Sequence, residues 1–365
     1  MDIKAAYEEH LEFMQEVYRI DDISERELVY QFNLLLQCIP NGGKLYKYRS
    51  LCGKSFSNIY DSLANGYLWL PSATMLNDDN DSLLIGNAEQ AYKEFVDSLY
   101  ENHYKLLAKM LKQFGEKPWK ADPLLKDIPF DTILSAFDPI SGEMDDTKLI
   151  SVFAIFMDGA ERFNHFRLLI PQLLEDLRRE LNRICLDLFL INKEYRDNIH
   201  VFSMSDSYDL GNMWGYYADS GQGFCIEYDY TMVKTLGLEA MRYLLNTYKM
   251  TYSDIPREIP LGLIAKSILS DSDKGSVNKI VKRSILERTI SKDCCWEHER
   301  EWRIALAKND CKIPVDIVSA IIIDERSLGK ANAKKLIRLC KKRNWSIQVR
   351  KTCTYNTKHV YESLI

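Results

Sequence analysis

HVFSMSDSYDLGNMWGYYADSGQGFCIEYDY, residues 200–230, is the stretch around which the rest of the chain is read. Val201 and Phe202 are β-formers, and Ser203, Met204 and Ser205 alternate polar with apolar at the period of a strand. Asp206–Gly211 is turn chemistry, and Asp209 or Asn212 is placed to cap a short helix carrying Met213, Trp214, Tyr216 and Tyr217. DSGQG at 219–223 turns again, and Phe224–Tyr228 reads as a second strand. Ser203 and Ser205 stand two residues apart, so on a strand they face the same way, above a helix dense in aromatic rings. That arrangement suits a flat polar ligand. It also describes an ordinary strand–helix–strand unit with its aromatics in the core, where most aromatic clusters are found.

Upstream, residues 4–38 have helical spacing in two pieces, broken near IDDIS at 20–24. Ser24 with Glu27 forms a capping-box pattern opening the second piece, and Pro40-Asn41-Gly42-Gly43 ends it. LYKYRS at 45–50 is a strand that sets Leu45, Lys47 and Arg49 against Tyr46, Tyr48 and Ser50. Phe56–Asn65 is a helix stopped by Gly66, Tyr67–Leu70 a strand, and PSATMLNDDNDS at 71–82 a polar loop. From 83 to 198 helical spacing dominates, in Ala91–Phe114, Leu149–Phe156 and Phe163–Phe189, with Pro171 expected to break the last. Downstream, Asp229–Asn246, Pro256–Ser270, Ser276–Ser291 and Leu328–Lys342 read as helices. Lys249–Tyr252, Trp302–Ala307, Val318–Ile323 and Trp345–Thr352 read as strands.

Strands gather at both ends of the sequence and do not alternate regularly with helices. The expected fold is therefore α+β, a mixed twisted sheet rather than a doubly wound parallel one. The division expected is N-terminal helices at 1–43, a discontinuous core domain at 44–82 and 199–365, and a helical insertion at 83–198.

With 365 residues, 46% hydrophobic and 28% charged, the composition is that of a soluble globular protein. A formal net charge of −5 gives no basic field over the whole molecule for non-specific nucleic-acid binding. The nine cysteines are scattered, none in a CxxC, so neither a zinc knuckle nor a disulfide framework is expected. The acidic start MDIKAAYEEH is not a signal peptide, and no apolar run spans a membrane. A cytoplasmic location with reduced thiols and no membrane partner is the expectation.

Three polar features on strands need a reason. Arg49 could hold a phosphate or carboxylate bidentately, or be a surface charge. Ser203 and Ser205 could orient a ligand or serve a strand edge. In EHEREWR (297–303), Glu297, Glu299 and Glu301 alternate. If that stretch is extended they share one face, and repulsion raises a pKa unless a cation such as Lys292, Arg300 or Arg303 answers it. Asp78, Asp79 and Asp81 offer oxygens to a divalent cation without EF-hand spacing, and the six histidines are isolated, so no metal site is assigned. There is no HExxH, GxSxG or P-loop.

LYKYRS, NGYLWLPSATMLNDDNDS, FSMSDSYDLGNMWGYYADSGQGFCIEYD and WEHEREWRI together resemble the bacterial domain-of-unknown-function family 2971, over about 44–82 and 200–306. More distantly, the order strand-Arg, Ser-x-Ser, strand-Glu is similar to that of ADP-ribosyltransferases, with Met204 where threonine stands between the serines. That resemblance implies an ADP-ribosyltransferase-like core and NAD as substrate. Tyr48 and Arg49 would bind the cofactor, Arg49 through a phosphate. Ser203 and Ser205 would support the nicotinamide ribose and orient the glutamate. Glu299 or Glu301 would bond the ribose 2′-hydroxyl, and Trp214, Tyr216 or Tyr217 would stack on nicotinamide. The acceptor of ADP-ribose would be a protein, a nucleic acid or water, and the setting a toxin or phage-defence effector. Two other readings stand beside it: a non-enzymatic interaction or ligand-sensing protein whose helical insertion binds a partner, and a metal-dependent phosphodiester hydrolase using Asp78, Asp79 and Asp81. Of the glutamates, Glu299 is preferred for catalysis and Glu301 for a structural ion pair. Asp81 is expected to be buried against backbone or an arginine.

Overall fold

The computed structural model describes residues 2–16, 22–101, 116–136, 145–255, 257–269, 274–307, 311–352 and 359–364. Contacts divide the chain into two compact units. One is formed by 1–83, 193–256 and 287–365, the other by 84–192 and 257–286, so the second takes in 257–286 besides most of the stretch read as an insertion.

The first unit is α+β. Its strands in chain order are β1 (Lys44–Arg49), β2 (Leu68–Trp69), β3 (Ile199–Ser205), β4 (Phe224–Asp229), β5 (Thr247–Lys249), β6 (Thr251–Tyr252), β7 (Ser291–Lys292), β8 (Glu301–Ala307), β9 (Lys312–Ile313), β10 (Val318–Asp324), β11 (Ser346–Thr352) and β12 (His359–Ser363). Eight form one mixed sheet in the order β12-β11-β10-β4-β1-β3-β8-β5. Its one parallel pair, β10 and β11, is joined across helix Ala331–Arg343, the crossover that parallel neighbours require. The central strands are almost wholly buried: Ile226, Ile304, Ile321 and Ile323 have no exposed surface. The two N-terminal helices, Ile3–Glu16 and Glu25–Cys38, open as the sequence implies, and the Ser24 hydroxyl accepts the Glu27 N–H at 3.2 Å. Gly66 ends helix Gly53–Asn65 with φ 70°, a left-handed stop that turns the chain into β2.

β1 is where the sheet departs from regularity. It pairs with β4 along its whole length, Lys44↔Asp229 through Arg49↔Phe224, but with β3 only at Tyr46↔Ser205. Further along β3, the Val201 N–H donates instead to Pro71 O at 2.9 Å, and Ser72 bridges to His200. Between those two pairings, the Ser203 carbonyl is taken by the Lys47 ammonium. A backbone polar group at a parting of strands needs some partner, and here a side chain supplies it.

The second unit is helical, with its own core of Phe95, Trp119, Leu125, Ile133, Phe153 and Phe166. The Trp119 indole N–H donates to Ile128 O at 2.8 Å.

Four readings of the sequence are corrected. Pro171 does not break the helix: Gly159–Asn198 runs 40 residues through it, because an interior proline removes one backbone donor while the turns on both sides keep theirs. Asp229–Asn246 is not one helix but a 3₁₀ stretch, Tyr230–Thr235, and helix Leu238–Leu244, separated by Gly237 at φ 91°. The helix of the opening stretch, Gly211–Tyr217, begins after Leu210 without a side-chain cap, and Asp209 instead accepts the Tyr361 hydroxyl at 2.6 Å. EHERE is not extended: Cys294–Glu299 is 3₁₀ and Arg300 is left-handed at φ 48°, so Glu297 is exposed while Glu299 and Glu301 turn inward. Residues 102–114 of the expected helix Ala91–Phe114 lie outside the described residues; helix Ala88–Glu101 precedes them.

Candidate functional site

The parting of β1 from β3 opens a cavity of about 300 Å³ within the first unit. Its wall includes Lys47, Arg49, Asp81, Ser203, Ser205, Tyr217, Lys292, Glu299, Glu301 and Arg303. By strand register, Ser203, Ser205, Glu301 and Arg303 share the sheet face of Tyr46, whereas Lys47 and Arg49 leave β1 on the other. The gap between the strands is what lets both sets line one cavity.

The carboxylate side is a closed ion network. Arg303, with no exposed surface, grips Asp81 bidentately at 2.8 and 2.9 Å and donates to Glu301 Oε1 from Nε and Nη2 at 3.0 and 2.9 Å. It also donates to Thr289 O at 2.9 Å. Lys292 bridges the two glutamates, 2.6 Å from Glu299 Oε2 and 3.2 Å from Glu301 Oε2. Tyr217 donates its hydroxyl to Glu299 Oε1 at 2.5 Å and accepts from Asn77 at 3.1 Å. Burial opposes the charge of Asp81, but the Arg303 guanidinium overrides it and holds the carboxyl down at about 2. Glu301 follows the same logic: burial opposes ionisation, and Arg303 and Lys292, with a Ser203 hydrogen bond, hold it below the usual range. Burial pulls the Lys292 ammonium down, but Glu301 and Glu299 more than offset that and raise it to about 12.

The structure therefore brings Arg49, Ser203, Ser205, Tyr217, Glu299 and Glu301 to one cavity. Tyr48 also lines it, but its hydroxyl is committed to the backbone, donating to Ser207 O at 2.8 Å and accepting the Leu210 N–H at 3.0 Å. Trp214 is a correction. It is 1% exposed, lies in the core with Tyr46, Tyr48 and Met213, carries Arg350 over its ring at 4.4 Å, and does not line the cavity. Tyr216 points outward, 71% exposed. Asp81 is buried against an arginine as expected, which separates it from exposed Asp79 and removes the shared metal site. Among the described residues no group of three or more His, Cys, Asp or Glu side chains is placed to hold a metal ion.

Sequence reasoning gave Lys47 no site role and named Lys292 only as one of three cations that could pair with the glutamates. The signals were present: Lys47 shares a strand face with Arg49, and Lys292 lies on the short strand before the glutamates. Among the described residues no helix is long and apolar enough to cross a membrane. No curated protein and no solved structure matches the chain significantly. The model of a family described as "Protein of unknown function (DUF2971)" matches residues 213–304, which carry Tyr217, Lys292, Glu299, Glu301 and Arg303, and so supports the resemblance to that family.

Proposed function

We propose that this protein cleaves the nicotinamide–ribose bond of NAD and passes ADP-ribose to a macromolecule or water. The observation that carries the reading is the convergence of Arg49, Ser203 and Glu299 on one cavity from three separate parts of the chain. In the reaction the C1′–N bond of the nicotinamide riboside breaks and its electron pair goes to the pyridinium nitrogen. Positive charge develops on C1′ and the ring oxygen, and a nucleophile then bonds to C1′ and gives up a proton. A carboxylate beside the ribose stabilises that charge, as in glycosidases.

Hydrogen-bond capacity selects the carboxylate. A carboxylate has about four acceptor sites. Glu301 fills its sites with two Arg303 donors, Lys292 and Ser203, whereas among the described residues Glu299 takes Tyr217 and Lys292. Glu299 has room for a ribose hydroxyl. Tyr217, half-buried on the wall, is the ring at hand for nicotinamide, in place of Trp214.

One feature favours a second reading, a ligand-sensing protein without turnover: both glutamates are already neutralised by Lys292 and Arg303. Nicotinamide release from NAD by the full chain, with and without cell lysate as acceptor source, separates the two. Glu299→Gln should lower the rate about 100- to 1,000-fold while leaving NAD binding in place. A parent that binds NAD and releases no nicotinamide under any condition refutes the enzymatic reading and leaves the sensing one.

A further inference from the structure

The cavity wall holds four cations and three carboxylates, and the pairing among them is uneven. Lys292 and Arg303 account for all three carboxylates. Lys47 and Arg49 are left over, and among the described residues neither meets a carboxylate at ion-pair distance. Lys47 is 8% exposed. Its ammonium donates to Ser203 O and lies 4.0 Å over the Phe202 ring, leaving other donors unused. Half-buried Arg49 makes no hydrogen bond to any described side chain or carbonyl. Two residues apart on one strand, they face the same gap. Buried cations without counter-charge are expensive, and both sit at an opening rather than in packed core.

We propose that Lys47 and Arg49 together form the receptor for a phosphate-bearing anion. Arg49 supplies the planar fork that grips two oxygens, and Lys47 adds a point charge from its own side of the group. The inference rests on the cavity assignment above and names the group by which its ligand is held.

Burial, with Arg49 and Arg303 adding to it, pushes the Lys47 ammonium below the usual lysine range, against the weaker pull of Glu301 and Glu299. Ile226 of β4 stands opposite it, and β3 contributes the Phe202 ring and the Ser203 carbonyl. An anion beside Lys47 supplies the counter-charge that these neighbours do not.

Calorimetric titration of inorganic pyrophosphate and inorganic phosphate into the full chain reads the affinity. The expected result is binding. Tighter binding of pyrophosphate assigns the receptor to a diphosphate, and equal affinity assigns it to a single phosphate group. Lys47→Met should weaken binding roughly 10- to 100-fold, while melting no lower than the parent, because it replaces a buried amine by an apolar chain of similar length. Arg49→Gln should weaken binding as well. Absence of pyrophosphate and phosphate binding to the folded parent overturns the inference, as does a Lys47→Met protein that binds as tightly as the parent. Anion binding but no NAD cleavage leaves this receptor standing and removes the NAD reading. NAD cleavage with KM unchanged in Lys47→Met does the reverse.

Discussion

Asp81→Asn tests the ion network that shapes the cavity. Arg303 has no exposed surface and Asp81 is 2% exposed, so neither finds water when the other is changed. In the native protein burial disfavours the Asp81 carboxylate, yet the Arg303 guanidinium brings its pKa from 3.8 to about 2. The sign follows: a carboxylate depressed on folding contributes stability above its unfolded pKa, and that contribution fades as pH falls from 3.8 through 2. Converted at 1.36 kcal/mol per pKa unit, it is about 2–3 kcal/mol at neutral pH. Asp81→Asn should lose about that amount, and Asp81→Ala, which leaves a buried guanidinium half-partnered, about 3–5 kcal/mol. Urea unfolding followed by tryptophan fluorescence is the assay, since five of the six tryptophans lie in the first unit. At a slope of about 2–3 kcal/mol per molar, Asp81→Asn should move the midpoint down by about 1 M. The variant should also lack the part of the parent's stability loss that falls below pH 4. An Asp81→Asn protein with an unchanged midpoint, or with the parent's full acid limb, refutes the assignment of Asp81 as a charged structural partner.

His10 carries a separate acid sensitivity. It has no exposed surface, neither ring nitrogen has a close hydrogen-bond partner among the described residues, and burial, against a weaker backbone interaction with Thr247, lowers its pKa from 6.5 to about 4. The unfolded chain therefore binds the extra proton first, and stability falls by about 3 kcal/mol as pH drops from 6.5 to 4; His10→Phe should flatten melting temperature over that window. Trp214→Ala should cost about 3–5 kcal/mol in urea unfolding through the cavity it leaves. Trp214→Phe, if it melts near the parent, should leave NAD handling unchanged, because the indole lies outside the cavity wall. Tyr217→Phe removes the 2.5 Å bond to Glu299 and should lower nicotinamide release while NAD still binds; an unchanged rate detaches Tyr217 from the site.

What the sequence disclosed and what it withheld divide along one physical line. Signals acting within a few residues were legible: the Ser24 cap, the Gly66 stop, and the alternation that makes β1 and β3 strands. Trp214 was misplaced by the resemblance, which made it a stacking ring, although the general tendency of aromatic clusters to be core pointed to the buried position it takes. The site depends on pairings between distant segments, and those leave no local trace. Nothing in LYKYRS tells that β1 will leave β3 after one residue pair, because that requires Pro71 to take the Val201 N–H, a partner 130 residues away in the chain. The carboxylate row failed for a subtler reason. Alternation in EHEREWR is sound evidence for a strand, but it assumes that every residue is extended, and Arg300 is left-handed. That conformation costs an arginine about 1–2 kcal/mol, and its ion pair with Asp206 at 2.7 Å, largely exposed on the arginine side, offsets only part. What holds the turn is Lys292: with Glu299 and Glu301 on either side of a left-handed residue, both carboxylates reach one ammonium. The glutamates were visible as a cluster of like charge and Lys292 as one of three cations in reach, but which of them decides the geometry depends on a partner seven residues away on another strand. The same argument predicts that Arg300→Gly, which relaxes the turn without touching the network, should leave the melting temperature nearly unchanged, whereas Lys292→Met should lower it sharply by leaving buried Glu299 without a counter-ion and Glu301 with Arg303 alone. If Arg300→Gly were the more damaging of the two, the turn would owe its shape to the surface pair instead.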